Sequence, residues 1–274
     1  MSKIIRIFPS RTKATPDDCD VRINILPTLF DEADEVHISV TFSWDIPRAE
    51  YLANQWKYVA PVKIGGPAFN EPGSDFIPGM YMKKGYVITS RGCPNHCWFC
   101  SVPKREGGQL RELPITEGWI VTDDNLLACS SEHIEKVFEM LKRQPSKPQF
   151  VGGLEFRLLT VDMAHKLKQL KPKTLFFAYD EPEDYESLIQ AGKYLISAGF
   201  SKESHILNCY VLIGYPRDTF EAAEKRLINT IKSGFMPMAM LYRNNRGEYT
   251  KEWKEYQRLW ANKIIVGAKM KQYK

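Results

Sequence analysis

From residue 86 onward, strand patterns and helix patterns alternate so regularly that few folds are compatible with the chain. Short runs rich in β-branched and aromatic residues are followed by amphipathic stretches, and Gly, Pro, Asp or Asn closes most of them. The predicted strands span 86–90, 119–122, 149–158, 174–179, 205–213 and 237–242. The predicted helices span 131–143, 161–170, 183–198, 218–233 and 250–262. Such alternation predicts parallel strands joined by right-handed helical crossovers.

Six strands, each except the first clearly followed by a helix, are fewer than the eight strand–helix units of a closed barrel. The sequence therefore predicts an α/β fold in which residues 85–274 form a partial (β/α)6 barrel with a C-terminal helix. Polar residues cluster just after the predicted strands. Because parallel α/β sheets bind their ligands at the carboxyl ends of the strands, we expect the functional site there.

The preceding residues, 1–84, contain a shorter pattern of the same kind followed by a linker. Residues 36–42 predict a strand, 46–59 a helix and 62–64 a second strand, whereas residues 1–20 have no regular pattern. One strand–helix–strand unit is too small for a doubly wound domain. We therefore expect a short, truncated Rossmann-like βαβ segment in front of the barrel.

Charge and composition narrow the functional classes. The chain has 274 residues, and 38 Lys and Arg against 33 Asp and Glu give a formal charge of +5, too small to indicate a dedicated nucleic-acid binder. No apolar run reaches the length of a membrane span, and Arg6 and Pro9 interrupt the only apolar stretch near the start. The sequence therefore predicts a cytoplasmic protein without a membrane partner, and leaves nucleic-acid binding open.

Three of the six cysteines lie within eight residues, at Cys93, Cys97 and Cys100, with the spacing C-x3-C-x2-C. Thiolates favour iron–sulfur clusters or zinc. A structural zinc site needs a fourth ligand, and only His96 is close in sequence, so a cluster is favoured while zinc remains open. Three unliganded cysteines are the least favoured interpretation. The other three, Cys19, Cys129 and Cys209, are scattered and are expected to be packing residues, although Cys129 lies near the expected cavity.

The cysteine segment resembles the signature of the radical S-adenosylmethionine superfamily. Cys93, Cys97 and Cys100 match its three cluster ligands, and Phe99 matches the aromatic residue before the last cysteine. The resemblance covers residues 86–243. It implies a 4Fe–4S cluster whose open iron binds S-adenosylmethionine, reductive cleavage to methionine and a 5′-deoxyadenosyl radical, and hydrogen abstraction from a substrate. It also implies a reductant protein of the flavodoxin or ferredoxin type.

Within that superfamily, the segments around Cys97–Pro103 and Arg111–Pro114 resemble the cobalamin-associated and methylthiotransferase-like branches. The N-terminal segment, ending in Gly65 and Gly66, looks like a remnant of a cobalamin-binding domain. A D-x-H-x-x-G motif is absent around His37, so we expect no cobalamin.

The resemblance assigns further cofactor contacts to residues after the strands. In the family, the segment after the second strand holds the amino group of the cofactor, and here Asp124 or Asn125 could accept from it. The alternative for these two residues is a helix-capping loop. Gly214 begins a turn that resembles the family's adenine-contacting turn. Asp180 is expected to cap the following helix.

Glu155 and Arg157 are expected on one face of the third strand, because side chains two apart point the same way. On the cavity face, Arg157 could hold the cofactor carboxylate and Glu155 the ribose hydroxyls. The alternative is an ion pair at the strand end.

The substrate is open. Basic residues flank the cysteine segment, at Lys83, Lys84, Arg91, Lys104, Arg105 and Arg111. They could attract an anionic substrate, although an ordinary solvated rim is favoured. The alternative to radical chemistry is an iron–sulfur or zinc-bearing binding module.

Overall fold

The computed structural model describes residues 2–273 as two parallel sheets, one two-stranded antiparallel sheet and the helices that pack on them. The first sheet contains β1 (Ile4–Phe8), β2 (Val21–Ile23), β3 (Glu35–Ser39) and β4 (Val62–Gly65), with helix α1 (Ile46–Trp56) between the last two strands. The spatial order is β2-β1-β3-β4, and every pair is parallel. The predicted βαβ unit is therefore present as β3–α1–β4, within a larger sheet.

The expectation that residues 1–20 are irregular is wrong, because β1 is a central strand of this sheet. Ile5 and Ile7 point into an apolar core shared with Trp56 of α1. Arg6, on the opposite face, donates to the carbonyls of Gly79 and Met80, each at 2.8 Å. The arginine that interrupts the apolar pattern is thus satisfied by the linker that crosses the sheet.

The second part of the chain follows the predicted alternation. Its elements are β5 (Tyr86–Val87), β6 (Ser90–Arg91), α2 (Val102–Glu106), β7 (Arg111–Glu112), β8 (Ile120–Val121), α3 (Ser131–Lys142), β9 (Gln149–Leu154), α4 (Val161–Gln169), β10 (Thr174–Ala178), α5 (Tyr185–Ser197), β11 (Leu207–Ile213), α6 (Phe220–Lys232), β12 (Met236–Leu241), α7 (Lys251–Ala261) and α8 (Lys263–Gln272). Six strands form a parallel sheet in the order β5-β8-β9-β10-β11-β12, which is their order along the chain. The predicted parallel α/β arrangement is confirmed.

The third predicted strand is shorter than expected. Strand β9 ends at Leu154, and Phe156–Leu158 form a turn of 3-10 helix. The register against β10 shifts within β9, where Gly152 and Gly153 lie, and Gly153 has a φ of +101°. A β-carbon on Gly152 would lie 2.1 Å from the carbonyl oxygen of Asp123, so the backbone of β9 passes too close to the segment after β8 for any side chain.

Helix packing and capping follow from the sequence. Side chains of β5, β8, β9 and β10 form one apolar core with helices α3, α4 and α5. Ser130 caps α3 by accepting from the amide of His133 at 3.2 Å. Among residues 2–273, no helix is long and apolar enough to cross a membrane.

Candidate metal and cofactor site

The cysteine segment belongs to a loop closed at its base by two short strands. Strand β6 pairs with β7 in antiparallel fashion, with Arg91 opposite Arg111. Residues 92–110 therefore form a loop whose two ends lie side by side. Gly92 starts this loop with a φ of +87°, and a β-carbon there would lie 1.8 Å from the carbonyl oxygen of Gln109. Only glycine fits this position, so Gly92 is required at the start of the loop.

Asp123, at the end of β8, anchors the segment that leads into the loop. Its carboxylate accepts from the amide of Thr89 at 2.7 Å, from the Thr89 hydroxyl at 2.5 Å and from the Ser90 hydroxyl at 2.8 Å. The side chain is almost fully buried, and this burial raises the pKa of Asp123, while the hydrogen bonds from Thr89 and Ser90 lower it. Asp123 therefore joins the first and second strands of the sheet beneath the cysteine loop.

Asp124 holds the loop itself. One carboxylate oxygen accepts from the amide of Gly92 at 2.8 Å, and the other accepts from Arg105 at 2.9 Å. Arg105 also pairs with Glu106 at 2.9 Å, and Glu106 accepts from Arg111 at 2.9 Å. The side chain of Glu106 is fully buried within this network. Both oxygens of Asp124 thus have protein partners, and its predicted contact with a cofactor amino group stays a prediction.

Asn125 lies against the first cysteine. Its side-chain amide donates to the Cys93 sulfur at 3.3 Å. The residue is 3% exposed, and its Oδ1 atom is buried with no hydrogen-bond partner. An unpartnered buried acceptor is uncommon in folded proteins. Of the two residues predicted to hold the cofactor amino group, Asn125 is therefore the one with a free acceptor.

The three thiols lie on one short turn, and N–H groups are directed at two of them. The amide of Asn95 donates to Cys93 and the amide of Val102 to Cys100, each at 3.4 Å. The amide of Cys100 donates to the carbonyl of Cys97 at 3.0 Å, which closes the turn. Hydrogen bonds of this kind to sulfur tune the potentials of iron–sulfur clusters.

Electrostatics also couples the cysteines. Burial first, and then the sulfurs of Cys100 and Cys93, raise the pKa of the Cys97 thiol, whereas Arg157 lowers it. Burial likewise raises the pKa of Cys100. Within residues 2–273, no group of three or more His, Cys, Asp or Glu side chains is already arranged as a metal site. The loop fits a cluster by the chemistry of its donors and by the N–H groups near sulfur, not by a preformed coordination geometry.

Glu155 and Arg157 lie beside the loop, on the turn after β9 and not on a strand face as expected. Strand β9 ends at Leu154, so both residues follow its end. Arg157 donates to Glu155 at 2.7 Å, and Asn95 of the cysteine loop donates to the other oxygen of Glu155. The alternative interpretation, an ion pair at the strand end, describes this geometry. Their proposed contacts with the cofactor stay predictions.

The side chain of Trp98 extends from the loop over the carboxyl ends of the last three strands of the sheet. Its indole N–H donates to Glu181, after β10, at 2.9 Å. Its ring lies 5.4 Å from that of Tyr215, after β11, and 6.0 Å from that of Tyr242, after β12, measured between centroids. Phe99, half-buried, packs edge-on against Trp98 at 5.3 Å. Nothing in the local sequence indicated that Trp98 and Glu181 meet, because 83 residues separate them.

The backbone conformation and the close packing at position 214 both favour glycine. Its φ is +73°, and a β-carbon would lie 2.9 Å from the ring of Trp253 in α7. Its amide donates to Asp218 at 2.8 Å. These contacts explain the residue through packing, and its predicted contact with the adenine stays a prediction.

Asp180 does not cap the next helix as expected. Its carboxylate accepts from the amide of Leu212, on the neighbouring strand β11, at 2.7 Å. Burial raises the pKa of Asp180 to about 6, and the hydrogen bond from Leu212 partly offsets this shift. Helix α5 begins five residues later, at Tyr185, after a turn of 3-10 helix. The carboxylate that was expected to cap a helix therefore links β10 to the neighbouring strand β11 instead.

Three of the basic residues around the loop are engaged within the chain. Arg91 donates to the carbonyl of Ser74 at 3.0 Å, and Arg105 and Arg111 bind Glu106. The guanidinium groups of Arg105 and Arg111 are paired with the buried Glu106, so these two are not free to bind an anionic substrate. The two described cavities, of about 690 and 600 Å³, lie elsewhere, beside α1 and beside α3.

Comparison with known proteins gives no assignment. No protein-family model matches the chain, and no curated protein matches it significantly.

Proposed function

We propose that the protein is a radical S-adenosylmethionine enzyme. In this proposal Cys93, Cys97 and Cys100 hold a 4Fe–4S cluster that leaves one iron without a protein ligand. Bound there, the cluster would supply the electron for reductive cleavage of S-adenosylmethionine to methionine and a 5′-deoxyadenosyl radical, which would abstract hydrogen from the substrate. A flavodoxin or ferredoxin supplies the electron.

One observation carries the proposal. The three cysteines share a loop that follows the first strand of a six-stranded parallel sheet and extends over the carboxyl ends of the other strands. Ligands of parallel α/β sheets bind at that edge. A cluster on this loop therefore lies where a cofactor and a substrate can both reach it.

The chain's own residues have separate roles in this proposal. Asn125 donates to Cys93 and offers its unpartnered Oδ1 to the ammonium group of the cofactor. Arg157, whose side chain is 44% exposed, offers the cofactor carboxylate its Nη1 atom, which Glu155 does not use and which lies 3.6 Å from Asp184. Asp123 and Asp124 hold the loop in place.

We also propose that the six-stranded sheet curves into a partial barrel. Trp98 follows β5, at one edge of the sheet, yet its ring packs near Tyr242, which follows β12 at the other edge. Flat strands spaced about 4.8 Å apart would hold these edges roughly 24 Å apart. Curvature shortens that distance and encloses the space beneath the loop.

The test is anaerobic reconstitution with iron and sulfide, followed by dithionite and S-adenosylmethionine. We expect 5′-deoxyadenosine and methionine from the wild-type protein and none from Cys97→Ala. The matched control is Cys19→Ala, which removes an exposed thiol outside the loop and should keep wild-type yield.

A cluster-loaded protein that makes no 5′-deoxyadenosine, even with cell extract as a source of substrate, would overturn the proposal. So would stoichiometric zinc held by the same loop, which would favour a zinc-bearing binding module.

A further inference from the structure

Three aromatic side chains meet at the carboxyl ends of β10, β11 and β12. The ring of Trp98 is inclined by 71° to that of Tyr215 and by 42° to that of Tyr242. Rings inclined in this way present more than one π face to a single approaching group. Trp98 is 53% exposed, and both tyrosines are partly exposed, so the cluster is accessible from solvent.

Two carboxylates border these rings without a cationic partner. Glu181 accepts from the indole of Trp98, and Asp180 accepts from the amide of Leu212. Among residues 2–273, no Lys, Arg or His nitrogen lies within ion-pairing distance of either carboxylate. Glu181 therefore has no ionic partner among the described residues, whereas the charge of Arg226 acts on the mostly buried Asp180.

Two of the three rings, those of Trp98 and Tyr242, have no cation over them among the described residues. Arg226 lies over Tyr215, 5.1 Å from its centroid, but it is bound to Asp218 and to the carbonyl of Leu212. Aromatic faces beside a carboxylate without an ionic partner, as Glu181 is here, are surroundings in which proteins bind alkylammonium groups.

We propose that Trp98, Tyr242 and Glu181 bind a positively charged alkylammonium group of the substrate. This inference rests on the proposed function, since it names the substrate class for the same site. Three of the six basic residues that suggested an anionic substrate are bound within the chain, at Arg91, Arg105 and Arg111. The rim that faces the rings is acidic instead.

The experiment compares choline with 3,3-dimethyl-1-butanol, a neutral compound of the same shape. Binding of each to the reconstituted full chain is measured by saturation-transfer NMR, with saturating S-adenosylmethionine present. We expect choline to bind about tenfold more tightly than the neutral compound, because a partly desolvated cation–π contact adds this much. Trp98→Leu and Glu181→Gln should each raise the Kd of choline about fivefold.

The matched control is Tyr58→Leu, which removes another exposed ring, far along the chain, and should leave the Kd unchanged. Equal binding of the two compounds, no saturable binding of choline, or a Kd unaffected by both site variants would overturn the inference. Displacement of choline by S-adenosylmethionine would also overturn it, because the cation site would then belong to the cofactor. None of these results depends on 5′-deoxyadenosine formation. Failure of this inference can therefore be distinguished from failure of the proposed radical chemistry.

Discussion

The two sides of the cysteine loop differ in how their polar groups are satisfied. On the side of β8 and α2, which we call the closed side, the carboxylates of Asp123, Asp124 and Glu106 all have partners inside the protein. On the side of β10 to β12, the open side, Glu181 and the ring of Trp98 are exposed. Buried, satisfied carboxylates stabilise a fold, whereas exposed groups without ionic partners are available to a ligand.

Because of this difference, we expect substitutions on the two sides of the loop to affect different properties, stability on one side and binding on the other. Changes on the closed side should lower the free energy of unfolding, because they leave buried donors without acceptors. Changes on the open side should alter binding and leave the fold nearly as stable.

The largest effect is expected for Asp123→Ala. Three donors from Thr89 and Ser90 lose their acceptor in a buried place, which should lower the free energy of unfolding by about 4 kcal/mol. Urea unfolding measures the change, and Asp17→Ala, at an exposed position, is the control. A loss below about 1 kcal/mol would mean that Asp123 does not anchor the loop.

The second effect concerns the base of the loop. Gly92→Ala places a β-carbon 1.8 Å from a carbonyl oxygen, while Gly107→Ala, also at positive φ, meets nothing within 4 Å. Gly107→Ala should lower the free energy of unfolding by about 1 kcal/mol, because alanine disfavours a positive φ. Gly92→Ala should lower it by about 3 kcal/mol, because the steric clash adds to the same backbone effect. Equal losses in urea unfolding would show that the contact with Gln109 is not what requires glycine.

The smallest effect is expected on the open side. Trp98→Phe keeps an aromatic ring and loses one hydrogen bond to an exposed carboxylate, so the free energy of unfolding should fall by about 0.5 kcal/mol. The same urea titration measures it. A loss as large as that of Asp123→Ala would contradict the distinction between the two sides.

The sequence predicted the second sheet well because its signals are local. Each strand of this sheet is a short apolar run, and most are followed by an amphipathic helix whose cap is visible in the sequence, as Ser130 is for α3. Strand β1 was missed because Arg6 interrupts its apolar pattern, and the carbonyls that satisfy this arginine lie more than 70 residues away.

The site was predicted in part for the same reason. The cysteine spacing is local and could be read directly. The contacts of Asp123 with Thr89, of Asp180 with Leu212 and of Trp98 with Glu181 join distant segments. Pairing between strands sets such contacts, and residue type alone does not reveal them. Glu155 and Arg157 were assigned to a strand that ends at Leu154, where a turn of 3-10 helix follows.

The most direct test of the central claim is the iron and sulfide content of two variants after anaerobic reconstitution. Replacing Cys93, Cys97 and Cys100 together by Ala should abolish iron binding. Replacing Cys19 and Cys129 together by Ala should leave about four iron and four sulfide per chain, as in the wild type. Iron retained by the first variant, or lost by the second, would contradict the claim that the loop holds the cluster.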